Sequence, residues 1–185
     1  MLHDLHNANL SAVKIGQMKS VETKSAILDR AAVRRKIRRM ALEIAERNTG
    51  EKELVIAGIV GNGVVVAQNV AAELQRIVAI NITVISIELN KKTPGEVSIT
   101  PLIDFEDKVV IITDDVADSG KTMFYALKPF LNTHPKKVQT LVLVERSHKR
   151  FPIQTDYAGL TIATTLQEHI TVEAEGAEIS GAWLY

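Results

Sequence analysis

From Leu54 to Val144 the chain alternates short runs rich in Val, Ile and Leu with amphipathic stretches of helical length, and that alternation leaves few folds open. The apolar runs are Leu54–Val60, Ile80–Glu88, Val97–Thr100, Val109–Thr113 and Val138–Val144, with helices predicted from about Gly63 to Arg76 and from Gly120 to about Leu131. Runs of this kind are strands buried on both faces, which a parallel sheet covered by helices on each side provides. The expected class is α/β, a three-layer sandwich with a mainly parallel central sheet. Ahead of it a helix is predicted from Asp29 to Asn48. Val33, Ile37, Met40 and Ile44 fall on one face, Asp29 caps the start and Thr49-Gly50 stops it. Residues 1–25 carry no sustained period and read as an N-terminal arm, leaving 26–185 as one domain.

Chemistry concentrates in the segment from Val109 to Thr122, with the sequence VVIITDDVADSGKT. Four apolar residues make a strand, Asp114 and Asp115 stand where it is expected to end, and a turn of small residues opens a helix at Gly120. Backbone N–H groups of Ala117, Asp118, Ser119 and Gly120, joined by those of the following helix, converge on a point that suits an anion. Ser119 and Thr122 add hydroxyl donors. Ionised Asp114 and Asp115 only accept, so they repel a bare phosphate and suit the hydroxyls of a sugar attached to it. A ribose 5-phosphate answers both demands. Ligands of such sheets bind beyond the carboxyl ends of the strands, where Gly61 and Asp114 both lie.

Two other readings compete. A nucleoside-triphosphate P-loop also ends Gly-Lys-Thr, but it requires a glycine where this chain has Asp115. An ordinary capped helix, with Ser119 or Asp118 as its cap, leaves two adjacent acids at the end of an apolar strand unexplained.

The segment Thr113–Thr122 resembles the phosphoribosyl-pyrophosphate signature of the type I phosphoribosyltransferases. The resemblance implies that Asp114 and Asp115 bind the ribose hydroxyls, and that the stretch Val116, Ala117, Asp118, Ser119, Gly120, Lys121 and Thr122 binds the 5-phosphate. It also implies that the loop after the first strand, Gly61-Asn62-Gly63, grips pyrophosphate. That loop commonly carries a cation in the family, and Asn62 stands there instead. A mobile flap is implied too, for which the polar stretch Asn90–Gly95 with Lys91 and Lys92 is the candidate; a plain hairpin connection fits it equally well.

A second segment, Leu141–Ile153 with Thr155–Gly159, resembles the bifunctional pyrimidine-operon attenuators and uracil phosphoribosyltransferases within that family, as does the helix from Ile27 to Gly50. It implies a small hood, formed by residues near 146–185 and the N-terminal part, with Arg146, Asp156 and Tyr157 at the base. The base itself is contested. Asp118 stands where hypoxanthine-guanine enzymes have an Asp beside the purine, while Glu145 stands where those enzymes have a Lys. The implied reaction is loss of pyrophosphate from phosphoribosyl pyrophosphate while a base nitrogen attacks the anomeric carbon. Asp114 and Asp115 would hold the ribose near the developing cation, and Asp118 would assist proton removal. Magnesium would arrive on the substrate, with no metal site from protein alone.

Composition narrows the partners. Lys plus Arg equals Asp plus Glu at 22 each, so no global field draws the chain to nucleic acid or membrane. A local field is expected on the helix from Asp29, whose outer face carries Arg30, Arg34, Arg35, Lys36, Arg38 and Arg39. This patch suits solvent, a subunit contact or RNA, without aromatic residues for stacking bases. There is no cysteine, hence no disulfide or thiolate chemistry, and no apolar leader or bilayer-length run is visible; a cytoplasmic protein is expected. One strand, His169–Ala174, is predicted in the tail. Trp183, Leu184 and Tyr185 there are expected to dock on the domain itself or on a second copy in a homodimer or larger homo-oligomer. His148 and His169 have no partners spaced for a metal.

Overall fold

The computed structural model describes residues 24–165 and 167–185, so the arm expected over 1–25 lies outside the described residues except for Lys24 and Ser25. In chain order the elements are β1 (Ser25–Leu28), α1 (Arg30–Arg47), β2 (Glu53–Ile59), α2 (Asn62–Ile77), β3 (Asn81–Leu89), β4 (Val97–Thr100) and β5 (Val109–Ala117). They continue with α3 (Lys121–Ala126), a 3-10 turn (Lys128–Asn132), β6 (Lys137–Arg146), β7 (Tyr157–Ile162), β8 (Ile170–Glu175) and β9 (Glu178–Leu184). A six-stranded sheet has the order β4-β3-β2-β5-β6-β7 and is parallel except for β4.

The alternation of side chains along each strand divides the core into two layers. Leu54, Ile56, Val109, Ile111, Leu141 and Leu143 face α1 and α2, against Val33, Ile37, Met40, Val66, Val70 and Leu74. Val55, Ala57, Val110, Ile112 and Val142 face the other way, against Met123, Ala126, Phe105 and Phe130. This is the three-layer α/β sandwich expected. α1 begins as predicted, its Asp29 carboxylate accepting from the Ala32 N–H at 2.6 Å. β2 and α2 approach so closely at Gly58 that a Cβ there would stand 2.6 Å from Val64 Cα.

Several boundaries depart from expectation, each for a local reason. β5 runs on through the acids to Ala117, beyond the predicted end at Thr113. β2 leaves it at Thr113, but β6 continues to pair through Asp114↔Val142, Val116↔Val144 and Ala117↔Glu145. The helix expected to reach Leu131 breaks after Ala126, because Pro129 has no N–H to continue the ladder and the chain tightens into the 3-10 turn. β1, β7 and β9 were not expected. β8 and β9 form a hairpin turning at Gly176 (φ 61°), and β1 joins its far edge to make a second, small sheet of order β1-β9-β8. The tail therefore docks on its own domain: Ile179 and Ala182 enter the core beside α1 and α2, and the Lys24 ammonium lies 4.3 Å from the centre of the Trp183 ring. No helix among the described residues is long and apolar enough to cross a membrane.

Candidate active site

At the carboxyl ends of β3, β5 and β6 lies a cavity of about 310 Å³, lined by Lys91, Lys92, Asp114, the stretch Val116–Met123 and Arg150. Asp114 sits at its floor, 3% exposed. Its Oδ1 accepts from the Lys91 ammonium and from the Asp115 N–H, both at 2.9 Å. Lys91 Nζ is also 3.7 Å from Asp115 Oδ1. The Lys91 loop joins two antiparallel strands, β3 and β4, so it is a hairpin connection by topology, and it nevertheless reaches the acids.

Burial pushes the Asp114 carboxyl up to about 7; the neighbouring Asp115 charge adds to this and Lys91 opposes it. Lys91 is itself partly desolvated, which disfavours its charge, but the two carboxylates facing it outweigh that and hold its pKa above the ordinary value. An unfolded chain ionises Asp114 near 3.8, so as pH rises from about 4 to about 7 the unfolded state gives up that proton first and the fold loses stability. Above about 7 the loss is complete. Asp114→Asn is therefore expected to match its parent in acid and to gain on it by about 1 kcal/mol or more by pH 8, measured by denaturant unfolding. A difference that does not change with pH would refute this account of the carboxyl.

Beyond β5 the chain turns through Asp118, Ser119 and Gly120, the last in the left-handed region at φ 80° and ψ −4°. Asp118 does not cap α3. Its carboxylate accepts from the Arg146 guanidinium at 2.6 Å, and Arg146 also donates to the Thr165 carbonyl at 2.7 Å. The Lys121 ammonium donates across the cavity to the Lys92 carbonyl at 3.2 Å. The segment after β6 lies on this turn: the Arg150 and Phe151 N–H groups both donate to the Ser119 carbonyl, at 3.0 and 3.1 Å. A Cβ on Gly120 would stand 2.4 Å from Ile153 Cγ2.

The loop Gly61-Asn62-Gly63 packs against the acids from the other side. Gly61 has φ 92°, and a Cβ on Gly63 would stand 2.9 Å from the Thr113 carbonyl and 3.1 Å from Asp114 Oδ1. Asn62 is committed through its amide, which donates to Asp115 Oδ2 at 3.1 Å and to the Val172 carbonyl of β8 at 2.8 Å. The small sheet and the acid pair are thus joined by one side chain.

Of the three residues expected at the base, Arg146 adjoins the cavity through its bond to Asp118, whereas Asp156 and Tyr157 lie away from it. β7 begins at Tyr157 opposite Leu141, well below Arg146 on β6, which puts both residues toward the other end of the sheet. Tyr157 is buried, its hydroxyl accepting from Gln139 at 2.8 Å. Asp156 accepts from the Thr140 N–H at 2.8 Å and from its hydroxyl at 3.0 Å. Both hold β7 in place rather than face the cavity. Arg150, which does line the cavity, was not singled out in the sequence; its signal was a cation in the segment that follows β6, Ser147–Arg150.

The basic patch on α1 is partly neutralised. Arg30 pairs with Glu175, Arg34 with Glu178 and Arg39 with Glu43. Arg34, Arg35 and Arg38, with Arg76 of α2, line a separate open groove of about 710 Å³.

The chain matches the model of the phosphoribosyl transferase domain over residues 23–175. Curated proteins named bifunctional protein PyrR are similar to it along most of its length. That of Staphylococcus carnosus is 36% identical over 156 residues, covering 79% of this chain and 89% of the relative. That of Bacillus pumilus is 34% identical over 168 residues, covering 83% and 92%. In fold it is similar to a hypoxanthine phosphoribosyltransferase from Staphylococcus aureus, with a TM-score of 0.67 at 18% identity over 83% of this chain and 86% of that one. A Trypanosoma cruzi hypoxanthine phosphoribosyltransferase gives a TM-score of 0.67 at 18% identity over 75% and 82%. Since the family model spans every strand of the central sheet and the cavity at their carboxyl ends, the chain belongs to the type I phosphoribosyltransferases.

Proposed function

We propose that this enzyme transfers ribose 5-phosphate from phosphoribosyl pyrophosphate to a nucleobase, with a uracil-like pyrimidine favoured over a purine, in the cytoplasm. The observation that carries this reading is that the carboxylate of Asp114 lines one cavity with the turn Ala117–Thr122, with Asp115 beside it and reached by the same Lys91 ammonium. In the transfer, the bond between the anomeric carbon and the pyrophosphate oxygen breaks and a base nitrogen bonds to that carbon, the pyrophosphate keeping the electron pair. Asp114 and Asp115 take the ribose hydroxyls, at the cost of releasing Lys91, and lie near the cationic ribose of the transition state. Val116, Ala117, Asp118, Ser119, Gly120, Lys121 and Thr122 receive the 5-phosphate. Gly61, Asn62 and Gly63 with Lys91 and Lys92 receive the leaving pyrophosphate. Arg146 sits beside the base and holds Asp118, the group placed to take the base proton.

Magnesium fits as an ion carried by the substrate. The acids offer the hard oxygens it prefers, and Asp115, the more open of the two, can hold water on such an ion. When bound, the ion neutralises pyrophosphate and eases its departure. The pyrimidine preference rests on the segment Leu141–Gly159, which resembles the uracil enzymes, and on kinship with the PyrR proteins, which is closer in identity than kinship with the purine enzymes. A homo-oligomer belongs to the same reading.

A second reading, a weakly catalytic nucleotide sensor that binds RNA, is favoured by one observation: a groove apart from the cavity is lined by Arg34 and Arg76, paired with Glu178 and Glu73, and by Arg35 and Arg38. Calorimetric titration with phosphoribosyl pyrophosphate and magnesium, in the presence of uracil, hypoxanthine or guanine and with pyrophosphate release followed, separates the two. Binding with turnover on uracil is the expected result. Binding without turnover on any base supports the sensor, and no binding refutes both.

A further inference from the structure

We propose that Arg150, outside the Asp114–Thr122 signature, is a phosphate-binding residue that grips the 5-phosphate of the ligand; the inference rests on the sugar-phosphate reading above. Most cations near the cavity are already engaged. Lys91 is held by Asp114 at 2.9 Å, and Lys121 donates to the Lys92 carbonyl at 3.2 Å. Arg146 is held by Asp118 at 2.6 Å, and Lys149 by Glu145 at 2.9 Å. Among the described residues that line the cavity, Lys92 and Arg150 are the cations whose side chains make neither a hydrogen bond nor an ion pair.

The two differ in what carries them. Lys92 belongs to the β3–β4 connection, whereas Arg150 is fastened to the phosphate turn itself. Its own N–H and that of Phe151 converge on the Ser119 carbonyl at 3.0 and 3.1 Å, and Gly120 is bare because Ile153 of the same segment occupies the space a Cβ would need. A backbone held in this way fixes the base of the Arg150 side chain to the turn and leaves its guanidinium free to reach a ligand there. The turn supplies hydroxyls, N–H groups and one cation, Lys121, whose ammonium is turned to the Lys92 carbonyl, whereas a phosphate brings nearly two negative charges. A planar fork of N–H donors neutralises that charge and engages two oxygens at once, which an ammonium does not.

The test compares the full chain with Arg150→Ala, Arg150→Lys and, as a reference on the flap, Lys92→Ala. Affinities for ribose 5-phosphate, uridine 5′-monophosphate and inorganic pyrophosphate are measured with magnesium at two salt concentrations. Arg150→Ala is expected to weaken both 5-phosphate ligands by about tenfold or more, leave pyrophosphate within about twofold, and flatten the salt dependence; Arg150→Lys recovers part of the loss. Because Arg150 is exposed, the melting temperature stays at the parent's. Unchanged ribose 5-phosphate binding in Arg150→Ala overturns the proposal while the sugar-phosphate site stands. A loss confined to pyrophosphate overturns it by placing Arg150 at the leaving group. A parent that binds neither 5-phosphate ligand overturns both this proposal and the reading beneath it.

Discussion

Replacing Asp114 and Asp115 together with Asn is expected to remove binding of phosphoribosyl pyrophosphate while the fold remains. Each carboxylate, once ionised, presents only acceptors, and a ribose hydroxyl bonded to one contributes about 1.5–3 kcal/mol, as hydrogen bonds to charged groups do. Losing two such bonds weakens the complex by two orders of magnitude or more, at about 1.4 kcal/mol per factor of ten. The amides also turn N–H groups toward hydroxyls and leave Lys91 without the charge that holds it. Relief of Asp114, buried where its charge is disfavoured, should offset the weaker hold of the Asp115 position on Asn62, so the fold remains. Calorimetry with the magnesium complex of the substrate reads the affinity and circular dichroism the melting. Undiminished affinity in the double variant would overturn the assignment of the acids to the sugar.

Gly58→Ala is expected to be among the most destabilising single changes, at about 3 kcal/mol, the upper part of the range for forcing atoms into a packed core. The new Cβ would stand 2.6 Å from Val64 Cα and 2.9 Å from both the Gly63 carbonyl and the Val64 N–H nitrogen. All three are backbone atoms, so no rotamer change relieves the contact. Relief requires the first turn of α2 to move off the sheet, and that turn carries Asn62 and Gly63, so ligand affinity should fall with stability. Gly95→Ala serves as the control, since nothing lies within 4 Å of a Cβ there. Denaturant midpoints of the two variants decide the matter; equal midpoints would show that the strand and helix can separate freely.

The parts of this molecule legible in its sequence are those that local rules determine. Unbroken apolar runs disclosed a sheet covered on both faces, Asp29 disclosed the start of α1, and the two acids before a small-residue turn disclosed the family. What escaped depends on partners distant along the chain. β1 has only four residues and becomes a strand because β9 pairs with it, Ser25 opposite Leu184. β5 outlasts its apolar run because β6 continues beside it. Asp156 and Tyr157 were misplaced because a motif locates residues along the chain but not their depth in a sheet, which the register of Tyr157 against Leu141 decides. The commitments of Lys91 and Asn62 were invisible for the same reason: both side chains are polar and able to reach several partners, and only the assembled strands select among them.

The bond from Asn62 to Val172 has a consequence for the order in which the protein matures. β8 is ordered by β9, and β9 in turn is flanked by β1, so the bracket behind Asp115 joins stretches made early and late in synthesis. A nascent chain that has completed β2 through β6 already holds both acids on a paired strand, yet Asn62 has no β8 carbonyl to grasp. Long-range closures of this kind come late because the loop entropy must be overcome first. The brace behind Asp115 thus depends on the β8–β9 hairpin being in place, whereas the position of the acids themselves needs only the pairing of β5 with β6.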